Sequence, residues 1–166
     1  MGLSYSLCVT VLGWVGILGS DAGLRRLTLP RSTAGDAESE VLAGFSGVTA
    51  DDGAHADLCR RLQAYFSGRP APFADKLDLS FGSPFYRAVW ETTRTVPFGE
   101  VRSYGWLAAQ AGRPRAARAA GGAMASNEIP IIIPCHRIVG SNGSLVGFGG
   151  GLDMKRRLLE LEKKAK

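Results

Sequence analysis

The pattern of apolar residues changes near residue 80, and this change constrains the fold more than any other feature of the sequence. Two β-rich runs within residues 4–18 are separated by Gly13, and leucines at 24–29 follow a Ser-Asp-Ala-Gly turn, which predicts a small antiparallel sheet. Beyond residue 80, short segments with helical spacing alternate with glycine and proline. We therefore predict two domains, over residues 1–80 and 81–166.

One amphipathic helix is predicted in the first domain, over residues 54–66. Its apolar side chains have the i, i+4, i+7, i+8 spacing that forms a single face, and they are Leu58, Leu62, Tyr65 and Phe66. Residues 31–53, by contrast, are rich in small and acidic side chains and carry little periodic signal. No regular element is predicted there.

Four helices are predicted in the second domain, over residues 83–95, 103–111, 115–125 and 153–164. The second and third are joined by a short turn at residues 112–114, an arrangement typical of helix-turn-helix DNA-binding proteins. The third is built almost entirely of alanine and glycine. Such a slim helix either approaches a nucleic-acid groove closely or packs tightly inside the protein.

The two halves of the chain differ in charge. Residues 1–80 carry 7 basic and 9 acidic side chains, whereas residues 81–166 carry 13 basic and 6 acidic ones. The positive excess in the second half indicates contact with a polyanion or, alternatively, a solvated basic face.

The longest uncharged run, residues 1–20, is too short and too rich in Gly and Ser to span a membrane, and it lacks the basic start of an export signal. We therefore expect a cytoplasmic protein with no membrane partner. In a reducing compartment, Cys8, Cys59 and Cys135 would not form disulfides, and each would be a buried small side chain or a working thiol. Cys8 and Cys59 could share a metal with His55, but four ligands at suitable spacing are not visible, so no metal is predicted.

The stretch most informative about chemistry is Ile131–Val139, in which an apolar strand is expected to deliver Cys135, His136 and Arg137 directly after Pro134. A thiol reacts as the thiolate, and a neighbouring base or cation favours that form. In a regular strand residues 135 and 136 would point to opposite faces, so their coupling requires a turn or a bridging water. The alternative is a buried cysteine at a strand end with an exposed His-Arg pair.

The run Pro-Cys-His-Arg-Ile-Val-Gly at residues 134–140 resembles the active-site signature of the O6-alkylguanine-DNA alkyltransferases, also called methylated-DNA–protein-cysteine methyltransferases. The resemblance covers residues 81–162 almost continuously. It takes in Val96–Val101, Ser103-Tyr104, Ala116–Met124, Asn127, Pro130, Gly150–Leu152 and the helix from Lys155 to Glu162. Residues 1–80 resemble the family's N-terminal domain only in the pattern of their early strands and of the helix end at residues 65–68.

The resemblance implies a fold of the α+β or α/β class. A small N-terminal domain with an antiparallel sheet and a helix would be ribonuclease-H-like, and a mostly helical C-terminal domain would be winged-helix-turn-helix-like. The implied function is DNA repair by direct damage reversal, in which an alkyl group moves irreversibly from O6-alkylguanine, and from O4-alkylthymine, to a cysteine of the protein. The expected partner is double-stranded DNA, bound through its minor groove by a monomer that can bind cooperatively. No cofactor is expected.

The resemblance implies four catalytic residues. Cys135 would accept the alkyl group, and His136 would act as its base through a water. Glu162 would orient His136 by a hydrogen bond, and Asn127 would hold the turn around the site.

The implied DNA-binding residues surround this group. Tyr104 would donate a hydrogen bond to N3 of the base and stabilise the departing guanine. Arg118 would fill the gap left in the stack when the base is flipped out. Ala117 and Gly121 would lie on the helix that enters the minor groove, and the backbone of Ile138, with that of the acceptor cysteine, would read the guanine edge.

Two positions in the loop that would close the alkyl pocket depart from the family's pattern. Phe148 stands where tyrosine is common, which removes one hydrogen bond to O6 but keeps an aromatic wall. Gly149 stands where Ser or Ala is frequent, and its backbone freedom would loosen or enlarge the pocket. We expect transfer to be retained, and the preferred alkyl group stays open.

Three other functions fit parts of the pattern. A damage-marking protein, such as the alkyltransferase-like proteins, would bind the lesion without an acceptor cysteine, which the presence of Cys135 argues against. A thiol hydrolase using Cys135 and His136 would turn over a small ester without DNA. A helix-turn-helix regulator would prefer one DNA sequence, whereas a repair protein prefers a lesion in any sequence.

Overall fold

Residues 2–165 are described by a computed structural model, in which the chain divides between Leu79 and Ser80 into two units with separate cores. The strands are β1 (Leu3–Thr10), β2 (Gly13–Ser20), β3 (Gly23–Leu27), β4 (Val48–Ala50), β5 (Arg102–Ser103) and β6 (Ile138–Val139). The helices are α1 (Ala34–Leu42), α2 (Ala56–Phe66), α3 (Pro84–Thr93), α4 (Tyr104–Gln110), α5 (Ala117–Ala125) and α6 (Leu152–Ala165). This is the mixed α+β architecture expected from the sequence. No helix in the described range is both long enough and apolar enough to cross a membrane.

The sheet of the first unit has the strand order β3-β2-β1-β4. The three strands predicted as a meander pair antiparallel, and β4 lies parallel to β1. Gly13 follows the two-residue loop between β1 and β2 with φ of +133°, and a Cβ there would lie 2.4 Å from the carbonyl oxygen of Arg31. Only glycine fits this position, because both the backbone conformation and the contact exclude a side chain.

Two helices accompany this sheet. α2 buries the four apolar side chains predicted for it, Leu58, Leu62, Tyr65 and Phe66. The prediction of no regular element in residues 31–53 is wrong, because α1 and β4 lie there. α1 begins at a Thr33 cap, whose Oγ1 accepts from the Asp36 N–H, and it buries Ala37 and Val41. Two small apolar residues one turn apart form too weak a periodic pattern to distinguish a helix from a loop.

Cys8 of β1 and Cys59 of α2 form a disulfide, with Cα atoms 5.8 Å apart. The prediction that none of the cysteines would pair is therefore wrong. The prediction was based on the reducing compartment expected for the protein. It could not take into account that α2 packs on β1, which brings together two residues 51 positions apart in the sequence. Cys135 is the free cysteine of the described range, and no cluster of His, Cys, Asp or Glu within that range is arranged to hold a metal ion.

The helices of the second unit lie close to their predicted positions because the chain carries explicit start and stop signals. Ser83 caps α3 and Ser103 caps α4, each accepting a backbone N–H on its side-chain oxygen. Gly112, with φ of +96°, follows the end of α4. Trp90 of α3 is fully buried and donates from Nε1 to the carbonyl oxygen of Ala123 at 2.8 Å, which ties α3 to α5.

The strand predicted before Cys135 is wrong. Residues 129–134 form a tight loop, in which Ile131 has φ of +74° and only an isolated bridge joins Pro130 to Ile133. The run is apolar because it is buried, and its prolines cannot donate to a strand ladder. The chain then makes a single 3-10 turn over Cys135–Arg137 before β6, which pairs parallel with β5.

Candidate active site

Cys135 is the first residue of this 3-10 turn, and its side chain is buried. Its N–H donates to the carbonyl oxygen of Ile133 at 2.7 Å, and the N–H of Arg137 donates to that of Pro134 at 2.9 Å. A 3-10 turn rotates by about 120° per residue, so Cys135 and His136 do not point to opposite faces as they would in a strand. The turn that their coupling requires is therefore present.

His136 and Glu162 form a fully buried pair. Nε2 of His136 lies 2.5 Å from Oε2 of Glu162, and both side chains are at most 1% exposed. An ionised carboxylate can only accept hydrogen bonds, so Nε2 carries a proton and Nδ1 is the basic nitrogen of the neutral ring. Burial lowers the pKa of His136, despite the hydrogen bond and charge of Glu162, which favours this neutral form at pH 7.

Glu162 has a second partner, the cationic side chain of Arg137. Nε and Nη2 of Arg137 donate to its two carboxylate oxygens at 2.9 and 3.0 Å, and the Gly99 N–H donates to Oε1 at 3.0 Å. Burial alone would raise the pKa of Glu162, but the hydrogen bonds and charges of His136 and Arg137 outweigh it, and the pKa lies well below its ordinary value. Because Arg137 also donates to the Val96 carbonyl oxygen at 2.8 Å, its guanidinium is committed to this network. Arg137, a possible cation for the thiol by its place in the sequence, therefore serves Glu162 instead.

The pKa of the Cys135 thiol is raised, because burial disfavours the thiolate. A hydrogen bond with Asn127, the charge of Lys155 and the backbone N–H groups of Cys135 and His136 act in the opposite direction without overcoming burial. The resting sulfur is thus protonated at pH 7 and needs a base at the moment of reaction. His136 follows Cys135 directly in the turn, and its Nδ1 is a basic nitrogen.

Asn127 holds the loop that leads to the thiol. Its Nδ2 donates to the Ile133 carbonyl oxygen at 3.0 Å, and its Oδ1 accepts from the Ile129 N–H at 2.9 Å. These two hydrogen bonds lie on either side of Ile131, whose left-handed backbone conformation is costly for a β-branched residue. An aspartate could only accept, so the amide is the group that suits both contacts.

Tyr104 and Lys155 meet at one carbonyl group, that of Val146. The Tyr104 hydroxyl donates to this oxygen at 3.1 Å, and Nζ of Lys155 donates to it at 3.0 Å. Lys155 also donates to the carbonyl oxygens of Ile138 at 2.6 Å and Gly147 at 3.4 Å. Burial raises the pKa of Tyr104, and the charge of the nearby cysteine acts in the same direction.

Sequence reasoning missed Lys155 as a site residue. Lys155, Leu158 and Glu162 are the buried residues of α6, and their spacing of i, i+3, i+7 places them on one helix face. This spacing is visible in the sequence. A lysine on a helix rich in charged residues is nevertheless normally solvated, so the pattern has meaning only once the buried face is known.

The side of α5 expected to meet DNA is open. Ala117, its first residue, is half-buried, and Arg118 is exposed. No carboxylate of the described residues forms an ion pair with Arg118. Arg118 therefore lies on the surface of the unit, whereas the thiol and the His–Glu pair are buried.

The two glycines of α5 have different surroundings. A Cβ on Gly121 would lie 3.9 Å from the Tyr104 ring, an ordinary contact. A Cβ on Gly122 would lie 2.7 Å from the hydroxyl oxygen of Tyr86, which is too close. The slim helix thus combines an exposed surface with one that packs tightly inside the unit.

Phe148 and Gly149 lie in the glycine-rich loop before α6. Phe148 is half-buried, and Gly149 is exposed with open space where a Cβ would stand. The carbonyl oxygen of Phe148 accepts from the Gly151 N–H at 2.9 Å, which closes the end of the loop. Packing within the protein therefore does not require glycine at position 149.

Fold and site define a class of protein in which two short helices joined by a turn, α4 and α5, share a unit with a buried thiol and a buried His–Glu pair. A family model described as "6-O-methylguanine DNA methyltransferase, DNA binding domain" matches residues 84–164. The methylated-DNA–protein-cysteine methyltransferase of Mycolicibacterium paratuberculosis is 40% identical over 162 residues, which are 98% of this chain and 93% of the relative. That of Mycobacterium leprae is 50% identical over 117 residues, 70% of each chain.

Solved structures agree with this result. The structure of Mycobacterium tuberculosis OGT in complex with DNA has a TM-score of 0.82 and 40% identity, covering 98% of this chain and 94% of that one. The chain belongs to the methylated-DNA–protein-cysteine methyltransferase family, the DNA-repair methyltransferases that transfer an alkyl group to a cysteine of the protein itself.

Proposed function

We propose that this protein repairs O6-alkylguanine in duplex DNA by moving the alkyl group to the sulfur of Cys135, where it remains. The observation that carries the proposal is the buried pair that His136, in the turn that holds this thiol, forms with Glu162 of α6. Such a pair provides a base at Nδ1 and a carboxylate that stabilises the imidazolium formed when the base takes a proton. O4-alkylthymine is proposed as a second substrate.

In the proposed reaction a C–S bond forms as the bond between the alkyl carbon and O6 breaks. The thiol proton passes through a water to Nδ1 of His136, and Glu162 stabilises the cation. Guanine leaves as an anion that Tyr104 stabilises by a hydrogen bond to N3, and it then takes up a proton, so charge and atoms balance. The thioether has no bond that water readily cleaves, so each molecule acts once, without a cofactor.

The damaged atom lies inside the duplex, so the base must be flipped out at a cost of roughly a few kcal/mol. We propose that α5 lies in the minor groove, where the small residues Ala117 and Gly121 permit close approach. Arg118, exposed and without a carboxylate partner among the described residues, would fill the gap in the stack. Phe148 and Gly149 would border the alkyl pocket, where packing leaves room at position 149 for larger groups.

The roles of the two units follow from this site. The second unit would be the DNA-binding and alkyl-acceptor domain, winged-helix-turn-helix-like, and its excess of basic residues suits a polyanion. The first unit would be a ribonuclease-H-like structural domain. We propose a cytoplasmic monomer that can bind DNA cooperatively.

The test is the mass of the intact protein after mixing with a duplex that contains one O6-methylguanine, followed by peptide mapping. One added methyl group on Cys135, with no further addition at excess substrate, is the expected result. Cys135→Ser should bind the duplex without any change in mass. Transfer by Cys135→Ser, or a methyl group mapped to another residue, would contradict the assignment.

The proposed flipping role has its own test. Arg118→Ala should slow repair in duplex DNA by about tenfold or more, while its reaction with free O6-benzylguanine stays close to wild type. Arg115→Ala is the matched control, since it removes an exposed arginine three residues earlier. Equal losses on both substrates would show that Arg118 does not act through the duplex.

A further inference from the structure

A cavity of about 460 Å³ lies within the first unit, lined by the turn between β2 and β3, the start of α2 and the chain at residues 75–76. Its volume falls within the range of roughly 300–1,000 Å³ that small-molecule sites have. Leu24 and Leu58, both buried, form an apolar wall, and Ser4, His55 and Lys76 present polar groups. None of these residues takes part in the proposed transfer.

Two local rules of structure are broken where His55 lies. His55 stands at the N-cap of α2, but its side chain makes no capping hydrogen bond. Its ring occupies the space beside Gly19 of β2, where a Cβ would lie 2.7 Å from Cε1 of the imidazole. Glycine weakens a strand interior, and the pairing of β2 with β3 shifts register at this same residue, an irregularity that is over-represented next to functional sites. Both departures from regular structure serve to place an imidazole at the cavity wall.

The imidazole of His55 is half-buried, and its Nε2 lies 3.4 Å from the hydroxyl oxygen of Ser4. Burial lowers the pKa of His55 more strongly than the Ser4 backbone and the charge of Asp51 raise it, so the ring is neutral at pH 7. A bound anion would favour the imidazolium, which donates from both ring nitrogen atoms.

The charges around the cavity favour an anion over a cation. The two carboxylates that line it, Asp57 and Asp75, both accept from Arg61, at 2.9 and 2.7 Å, so a guanidinium already opposes their charge. Lys76 is exposed, lines the same cavity and pairs with no carboxylate of the described residues. The charged group left without a partner is therefore a donor, and an oxyanion is the group that such donors bind.

We propose that this cavity binds a small organic anion. Its phosphate or carboxylate head would accept hydrogen bonds from Lys76, His55 and Ser4, and its apolar body would pack against the leucine wall. Gly19 would be a positioning residue, because it leaves the space that the imidazole occupies. The site lies entirely within the first unit and is independent of the transfer proposed for the second.

The test is a titration of the full chain, followed by NMR of the histidine rings. The chain has two histidines, so His55→Gln assigns both Cε1–H resonances, and the buried His136 reports any general effect on the fold. Phenyl phosphate and benzoate are the anionic probes, and benzyl alcohol is the neutral one. We expect at least one anion to move the His55 resonance along a saturating curve and to raise the measured pKa of His55. Benzyl alcohol should not do so, and the His136 resonance should stay in place.

Two variants test the assigned contacts at about 0.15 M salt, where long-range charge effects are screened. Lys76→Met should weaken anion binding about 5- to 20-fold, because it removes a charge-assisted hydrogen bond. Arg69→Met is the matched control, since Arg69 is an exposed cation of the same unit outside the cavity lining, and it should change binding by less than about twofold. Gly19→Ala leaves every charge in place, and it should shift the His55 resonance of the free protein and weaken binding.

The absence of a saturating shift with both anions would overturn the proposal. Equal binding by wild type and Lys76→Met, or an equal shift with benzyl alcohol, would overturn it as well. The ratio of the affinities for phenyl phosphate and benzoate identifies the preferred head group. Should Gly19→Ala unfold, the comparison of Lys76→Met with Arg69→Met decides the matter, because both replaced side chains are exposed.

Discussion

The buried carboxylate of Glu162 should be the group on which the second unit depends most for its stability. It accepts from His136, from two nitrogen atoms of Arg137 and from the Gly99 N–H. Glu162→Gln keeps the size of the side chain and one oxygen. The NH₂ group of the glutamine is itself a donor, and it would face other donors. The substitution also leaves the Arg137 guanidinium buried with no neutralising charge. The perturbation therefore breaks a buried ion pair without opening a cavity.

The expected magnitude follows from that geometry. Removing one partner of a buried ion pair costs about 3–5 kcal/mol, out of a total of about 5–15 kcal/mol for a typical domain. For a unit of this size each kcal/mol lowers Tm by about 4–8 °C, so the variant should melt at least about 12 °C below wild type. The pKa of Glu162 is lowered from its ordinary value of 4.5, so the stabilisation is fully present above that pH and is lost as the pH falls below it.

Urea unfolding at pH 7.5, followed by tryptophan fluorescence, measures the free energy of unfolding for both proteins. Glu160→Gln is the control, since Glu160 is an exposed carboxylate on the same helix, and it should change stability by no more than about 0.5 kcal/mol. At pH 3.5 the difference in the free energy of unfolding between wild type and Glu162→Gln should be smaller than at pH 7.5. A loss below about 1 kcal/mol at pH 7.5 would refute the reasoning, because it would mean that the carboxylate is not ionised and paired as described.

Two further predictions concern the first unit. Gly13→Ala should destabilise it by about 2 kcal/mol or more in urea unfolding, because a Cβ would meet the Arg31 carbonyl group. Gly53→Ala should be near neutral, because a Cβ there would make only an ordinary contact of 3.6 Å with Oδ1 of Asp51. Equal effects of the two substitutions would contradict the packing described. Replacing Cys8 and Cys59 together by alanine should lower the free energy of unfolding by about 2–4 kcal/mol, because the disulfide closes a loop of 51 residues. Thiol titration of unfolded, unreduced wild type should find one free thiol rather than three.

The parts of the fold that could be predicted are those marked by local signals in the sequence. The helices of the second unit were predictable because residues such as Ser83, Pro84 and Gly112 mark where a helix starts or stops. Residues 129–134 show where such signals mislead. An apolar run bounded by prolines suits a buried strand or a buried loop equally well, and the hydrogen bonds of Asn127 select the loop.

The sequence drew attention to side chains that the structure brings together, but not to how they are connected. The resemblance drew attention to His136 and Glu162, and the structure pairs them. Sequence adjacency suggested that Arg137 serves the thiol, whereas its guanidinium binds Glu162 and Lys155 is the cation near the sulfur. Which cation reaches which anion depends on how α6 packs against the 3-10 turn, and no local pattern encodes that contact.

The protonated resting state of Cys135 suits a protein that uses its nucleophile once. A thiolate would react with any small electrophile, and each such reaction would consume a molecule irreversibly. Burial raises the pKa of the thiol and so opposes this loss, whereas the charge of Lys155 favours ionisation. In the proposed function, Nδ1 of His136 would take the thiol proton when an alkylated base fills the pocket. The network around Glu162 would then limit the reaction to the occasion when a lesion is bound, in addition to stabilising the second unit.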